Sequence, residues 1–437
     1  MKPFALLALL ALGLAAPVSA ELTAAERRMS ETVEQESERS VALLERLVNQ
    51  NSGTLNLAGV RAVGEMVRSE LEPLGFDVEW VDMAATGRAG HIIATHRPAG
   101  GTVRGRSLLL IAHLDTVFEP DSPFQRFVRD GRRATGPGVG DDKGGIVVIV
   151  AALRAMAAAG ALDRTDIIVV LTGDEERPGS PLETARRHLN RAGRHADVAL
   201  EFENLARDEG VEFGTVARRS STSWTLRTRG RTGHSSGVFG EGLGFGAIYE
   251  MARILDAFRR ELPEPNLTFN VGVIGGGTPA EMDEQGLRIA ASGKTNIVAE
   301  TAIARGDIRT LSAEQEQRVR QRMQDIVSQH LPRTSAQLDF APDGYPAMAP
   351  TEGNRALLAR LNEVNRDLGL DEMPEYDPAR RGAADSSFVA ADADVLAGLG
   401  VAGGGAHGPE EWVDLDSLGR QAIRAAILMH RLSGERR

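Results

Sequence analysis

Two carboxylates in direct succession, Glu175 and Glu176, close the apolar run IIVVLTGDEE at 167–176. Adjacent acids at the end of a buried segment repel one another and gain little from packing, so a cation is the natural remedy. One of the pair would ligate it while the other, left free, takes a proton from water. Further segments offer side chains of the same kind. SLLLIAHLDTV at 107–117 ends in His113 and Asp115, two residues apart and therefore on one side of a strand. One of them can bind an ion while the other fixes the first in orientation. GPGVGDDKGG at 136–145 carries Asp141, whose two oxygens could reach two metal ions; N-capping of the next helix by Asp141 or Asp142 is the competing reading. Lys143 beside them reads as an ion-pair partner for carboxylates. ALEFEN sets Glu201 and Glu203 on one face across Phe202, and spacing does not choose between them. His407, beside Glu410 and Glu411 in GGGAHGPEEW, is an ordinary loop histidine when taken singly, whereas His234, in RTGHSSG, reads as a packing or capping residue or, if its domain covers the sheet edge, as a donor to a developing oxyanion.

These segments end an apolar run or open a helix, which is where open α/β sheets place their chemistry. The periodicities predict an amphipathic helix over 21–49, a helix over 57–74, and strands at 75–83, 90–96 and 107–115. A helix over 146–159, a strand at 166–172, a helix over 181–192 and a strand at 197–202 follow. Alternation of this kind indicates a βαβ sheet, mostly parallel. After Gly210 the texture changes to β-α-β-β-α-β: 222–228, 245–262, 267–274, 297–308, 313–331 and 336–340. Helices over 354–368 and 415–432 return to the earlier style, with an Ala/Gly/Val-rich run at 390–401 between them. The expected fold class is α/β: a mostly parallel-sheet hydrolase domain from 21–213 and 342–437, with a ferredoxin-like α+β unit inserted at 214–341.

With 437 residues, two domains are the natural expectation. The first twenty residues combine Lys2, an apolar run over 4–16 and Val18-Ser19-Ala20, the pattern of a secretory signal cleaved after Ala20, which predicts a secreted or periplasmic protein. Net charge is −11, so nucleic acid and anionic membranes are poor partners. With no cysteine, disulfides, thiol catalysis and Cys-ligated zinc are excluded, leaving His and carboxylates for any metal.

HLDTV, GPGVGDDKGG, TGDEE, EFEN, RTGHSSG and GGGAHGPEE, in this order over most of 40–430, together resemble the M20 family of metallopeptidases, most closely its glutamate carboxypeptidase branch. The resemblance implies two zinc ions, with cobalt or manganese as possible substitutes. It makes His113, Glu176, Glu203 and His407 metal ligands, Asp141 the bridge, Asp115 the residue that orients His113, and Glu175 the general base. His234 would be the lid histidine that reaches a neighbouring subunit's site, implying a homodimer through the inserted unit, and Asn296 would lie near substrate carboxylates. The family often carries an arginine in the turn after the lid's last strand; here that turn is Gly344-Tyr345-Pro346, so Arg309, or Arg380 and Arg381, would have to supply the charge. The implied activity is release of a C-terminal amino acid from a small peptide or N-acyl amino acid. Alternatives are an N-acyl amino acid deacylase, an aminopeptidase or dipeptidase of the same superfamily, or a non-catalytic peptide-binding protein.

Overall fold

The computed structural model describes residues 21–98, 105–284 and 286–435. The expected signal segment lies outside them. No helix of the described residues is long and apolar enough to cross a membrane.

The first helical stretch is two helices, α1 (Ala24–Gln35) and α2 (Ser37–Asn49), not the single one expected. Apolar positions continue across the junction, so periodicity alone misses the break at Glu36. Helix α3 (Leu57–Leu71) runs into a 3-10 turn ended by Gly75 at φ 87°, a left-handed conformation that glycine adopts without steric cost. Strands β1 (Asp77–Asp82), β2 (Gly90–His96) and β3 (Leu108–His113) follow, then α4 (Lys143–Ala158), β4 (Ile167–Thr172), α5 (Leu182–Gly193) and β5 (Val198–Glu201).

A second group comprises β6 (Thr222–Gly230), α6 (Ala247–Glu261), β7 (Thr268–Gly277), β8 (Thr301–Arg309), α7 (Ala313–Val327) and β9 (Thr334–Phe340). Helix α8 (Glu352–Asp367), strand β10 (Asp394–Leu396) and helix α9 (Leu415–Gly434) then return to the first. Of the expected apolar run at 390–401, only the three residues of β10 are strand.

The main sheet has the order β1-β2-β4-β3-β5-β10. Strands β4, β3, β5 and β10 are mutually parallel, and β2 and β1 join antiparallel. All six residues of β3 and of β4 are buried, as strands covered on both faces must be. Helix α4 is buried almost throughout because α1, α2 and α9 cover what the sheet leaves open. Each fully buried Leu, Ile or Val here contributes about 1.5–3 kcal/mol of transfer free energy. The start of α4 lies so close to the end of β5 that a Cβ on Gly145 would stand 1.9 Å from the Phe202 carbonyl oxygen.

Strands β7-β8-β6-β9 form a separate, fully antiparallel sheet packed against α6 and α7, with a core of its own around Trp224, Met251, Phe258, Met323 and Leu338. Strand β7 continues through Gly275, Gly276 and Gly277 rather than stopping at them, because each pairs with β8. A small third sheet is decisive for the site: Trp412–Asp414 pairs antiparallel with Arg133–Thr135, tying the C-terminal region to the loop before α4.

Candidate metal centre

Parallel neighbours in the order β4-β3-β5 present their carboxyl ends side by side. His113 is the last residue of β3, Glu175 and Glu176 follow β4, and Glu203 lies just beyond β5. His113 pairs with Thr172, and Ile111 with Glu201, so the residues past each end converge on one edge. Asp141 enters from the loop before α4, and the Trp412–Asp414 pairing delivers His407 to the same place.

His113 is buried with its Nδ1 3.1 Å from the Asp115 carbonyl oxygen and its Nε2 3.0 Å from Asp141 Oδ1. Asp115 is itself pinned by the Thr54 hydroxyl at 2.6 Å and by the N–H groups of Glu175 and Glu176 at 3.0 and 3.2 Å. It therefore fixes both the imidazole and the Glu175-Glu176 backbone. Asp141 Oδ2 lies 3.1 Å from His407 Nε2, which is also 3.1 Å from Glu176 Oε2. The two oxygens of Asp141 thus face two different histidines.

Ligand atoms of His113, Asp141 and Glu176 lie within 4.8 Å of one another, and so do those of His113, Glu175 and Glu203. Glu176 Oε1 is buried with no hydrogen-bond partner. Such an orphaned oxygen among carboxylates and imidazoles fits a hard or borderline divalent cation. Between the two glutamates of EFEN the structure separates roles. Glu201 is fully buried, bound to Arg218 at 2.5 Å and to the Ser386 N–H at 3.1 Å, whereas Glu203 belongs to the cluster. Arg218 also touches Glu203 at 2.6 Å.

Electrostatics follow from crowding. Burial, and then the charge of Glu203, push the Glu175 carboxyl well above the usual range. Burial likewise pushes Glu203 up to about 7 and raises Glu176 and Asp142. Hydrogen bonds that His407 donates to the Asp141 and Glu176 carboxylates push it up to about 11. Burial opposes ionisation of Asp141, but hydrogen bonds from His113 and His407 outweigh it and hold its carboxyl far below the usual range.

These shifts predict a pH-dependent stability for the ion-free protein. The raised carboxyls bind protons more tightly folded than unfolded. The stability that Glu203 contributes is complete below its ordinary value of 4.5 and is lost as pH rises through about 7. His407 acts in the same direction, from 6.5 to about 11, while the depressed Asp141 matters only in strong acid. With chelator present, the melting temperature is expected to fall by roughly 5 °C between about pH 5 and about pH 7.5, and zinc should remove most of that fall. A flat profile in chelator would overturn this account of the cluster.

The structure places the other expected residues as follows. Asp142, not Asp141, is the N-cap residue of α4, and it makes no side-chain capping bond; its Oδ2 instead accepts the His113 N–H at 3.3 Å. Lys143 makes no direct ion pair among the described residues: it is fully buried, its Nζ donates to the Gln50 carbonyl at 3.0 Å, and burial, against the attraction of Glu411, lowers it to about 7. Arg309 pairs with Asp307 at 3.0 Å on its own strand, and Arg380 with Asp208 at 2.7 Å. Arg381 donates to the Asn204 carbonyl and interacts electrostatically with Glu203. His234 is exposed, with Nδ1 2.9 Å from the Ser236 hydroxyl. Its neighbour Ser235 donates to the Asn296 carbonyl at 2.9 Å, so His234 and Asn296 share one exposed corner. Among the described residues, no hydrogen bond or ion pair links that corner to the cluster.

Other supporting residues escaped the sequence reading. Buried Glu411 accepts the N–H groups of Gly138, Gly140 and Asp141 at 3.0, 2.8 and 3.0 Å, clamping the Asp141 loop to the segment that carries His407. Its place in GGGAHGPEEW was visible; its partners, some 270 residues away, were not. His407 has φ 64°, a left-handed conformation uncommon for a side-chain-bearing residue and consistent with a functional constraint.

Carboxylates and imidazoles gathered at the carboxyl ends of parallel strands define a metal-dependent hydrolase. The pattern of Peptidase family M20/M25/M40 matches residues 109–429, and the chain belongs to this family of metallopeptidases. Carboxypeptidase G2 of Pseudomonas sp. (strain RS-16) is 28% identical over 404 residues, covering 89% of this chain and 88% of that protein. Among solved structures, the aminopeptidase PepT of Bacillus cereus superposes with a TM-score of 0.73 at 19% identity, over 91% of this chain and 98% of that one. A dinuclear metal-binding M20 peptidase of Bacillus subtilis superposes at 0.62 with 14% identity, over 91% and 98% respectively.

Proposed function

We propose that the chain is a secreted or periplasmic two-metal exopeptidase that releases the C-terminal residue of a small peptide or N-acyl amino acid. One observation carries the two-ion reading: the Asp141 carboxylate stands between His113 and His407, one oxygen toward each. His113 and Glu203 would complete one ion's shell, and Glu176 and His407 the other's, with zinc the ion best suited to these donors. Bound there, the ions would polarise the scissile carbonyl and make water more acidic. Glu175, beside both shells, takes the proton of the attacking water and returns it to the leaving amine. Asp115 holds His113 and the Glu175 backbone through this transfer.

The antiparallel unit acts as a lid and as the dimer interface. Supporting this are the outer position of β7 in its sheet and the exposure of Ile248, Tyr249 and Ile274, at 48, 52 and 55%, on α6 and β7. A second copy docked there would bring His234 to donate to the developing oxyanion and Asn296 to the substrate carboxylate. Arg381, beside Glu203, is better placed than the ion-paired Arg309 to supply further positive charge.

The test is a panel of N-blocked and C-amidated dipeptides on zinc-loaded protein. Cleavage that tolerates N-blocking and is lost on C-amidation is expected. The reverse pattern indicates an aminopeptidase. Cleavage of N-acyl amino acids alone indicates a deacylase, and no turnover of any substrate a binding protein.

A further inference from the structure

The two chain segments that join the antiparallel unit to the main domain run side by side. Ser221 and Tyr345 exchange backbone hydrogen bonds at 3.0 Å in both directions, and Arg218 and Met348 do so at 2.9 Å. Each segment also sends a side chain into the metal centre: Arg218 to Glu203, and Tyr345 to Glu175.

The Tyr345 ring packs edge-on against Phe388, with centroids 4.9 Å apart. Its hydroxyl lies 2.9 Å from Arg186 Nη2 and 2.9 Å from the Glu175 carbonyl oxygen. A guanidinium can only donate and a carbonyl can only accept, so the hydroxyl proton must point at Glu175. Arg186 is itself immobilised. It is fully buried, with Nη1 2.6 Å from Asp174 Oδ1, Nη2 3.1 Å from the Asp174 carbonyl and Nε 2.7 Å from Asp385 Oδ1. Asp174 Oδ2 accepts the Gly179 N–H at 2.8 Å, and Asp385 Oδ2 accepts the Thr172 hydroxyl at 2.5 Å.

The Glu175 backbone is therefore gripped from both sides, its N–H by Asp115 and its carbonyl by Tyr345, while its carboxylate is left free for chemistry. We infer that Tyr345 is a positioning residue for Glu175, acting from the hinge between the two units; this rests on Glu175 being the base. The tyrosine in the Gly344-Tyr345-Pro346 turn thus turns inward to the base, not outward to a substrate carboxylate. Through it, the path of the hinge and the aim of the base are physically connected.

Tyr345→Phe keeps the ring on Phe388 and removes only the hydroxyl. In the zinc-loaded full chain it is expected to lower kcat about tenfold, with KM and metal content within about twofold of the parent. The same change in a Glu175→Gln background, read at high enzyme concentration, is expected to cost nothing further, because the group it aims is gone. A lower melting temperature with kcat intact would show a mere brace and overturn the proposal. An equal loss in both backgrounds would also overturn it, since Tyr345 would then act on something other than Glu175. Full turnover by Glu175→Gln alone would refute the base assignment itself, and the proposal with it. If Tyr345→Phe does not fold, Arg186→Lys, which keeps the charge beside Asp174 and Asp385 but forfeits the bond to the Tyr345 hydroxyl, must show the same split between kcat and KM.

Discussion

Glu175→Gln is expected to lose about a thousandfold in kcat, near 4 kcal/mol of barrier, while the protein keeps its fold and its metal. The amide is nearly isosteric and cannot take a proton from water. The surroundings of residue 175 do not depend on its charge: Asp115 holds its N–H and Tyr345 its carbonyl, whichever side chain follows. Removing a carboxylate from a cluster in which burial and Glu203 already oppose its ionisation should slightly stabilise the ion-free protein rather than weaken it. The measurements are steady-state kinetics on the best substrate of the dipeptide panel, metal content after dialysis, and thermal melting in chelator. Turnover within tenfold of the parent would reject Glu175 as the base. Loss of metal along with activity would instead make it a ligand beside His113 and Glu203.

How far the centre was legible depends on how far its parts lie apart in the chain. His113 and the Glu175-Glu176 pair stand at the ends of runs apolar enough to be buried on both faces, and a polar residue in that position has few other reasons to exist. Glu203 could not be told from Glu201 by periodicity, since both share a face. Arg218 bonds both; the distinction is made by Ser386, 185 residues on, whose N–H occupies the other oxygen of Glu201, while Glu203 lies within reach of His113 and Glu175. His407 became readable only through the family resemblance, because what brings it to Asp141 is the pairing of Trp412–Asp414 with Arg133–Thr135 across most of the chain. Non-local pairings of that kind leave no period in a sequence. The same holds for Glu411 and for the Arg186-Tyr345 pair, whose partners lie 159 to 273 residues distant. Lys143 departs from its local pattern for a different reason: its neighbours in sequence are acids, but α4 buries it facing the carbonyl of Gln50. The alternating helices and strands of the main domain, by contrast, follow from local patterns, and their observed ends differ from expectation by a few residues, the size of ordinary cap effects.

Asp141→Asn should fail in the opposite way to Glu175→Gln, losing the metal first and activity as a consequence. An ionised carboxylate offers two equivalent acceptor oxygens, and here one faces His113 and the other His407. An asparagine offers one acceptor and an amide that only donates, so at most one ion keeps this ligand and the other meets N–H groups pointed at it. The lost charge also leaves less to offset two divalent cations, with Glu176 and Glu203 the remaining anionic ligands of the two shells. The loop itself should stay in place, because Glu411 grips the backbone N–H groups of residues 138, 140 and 141 and none of these bonds involves the Asp141 side chain. After dialysis against trace zinc, the variant is expected to retain at most one ion per chain and to show a kcat/KM lower by about a thousandfold or more. Melting in chelator should fall below the parent's at neutral pH, because the ionised Asp141 held by His113 and His407 contributes stability there. Raising zinc to a large excess should recover part of the occupancy without recovering turnover, since a site filled on one side lacks the shared ligand that sets the spacing of the two ions. Two ions per chain with turnover within tenfold of the parent would rule out Asp141 as the bridge.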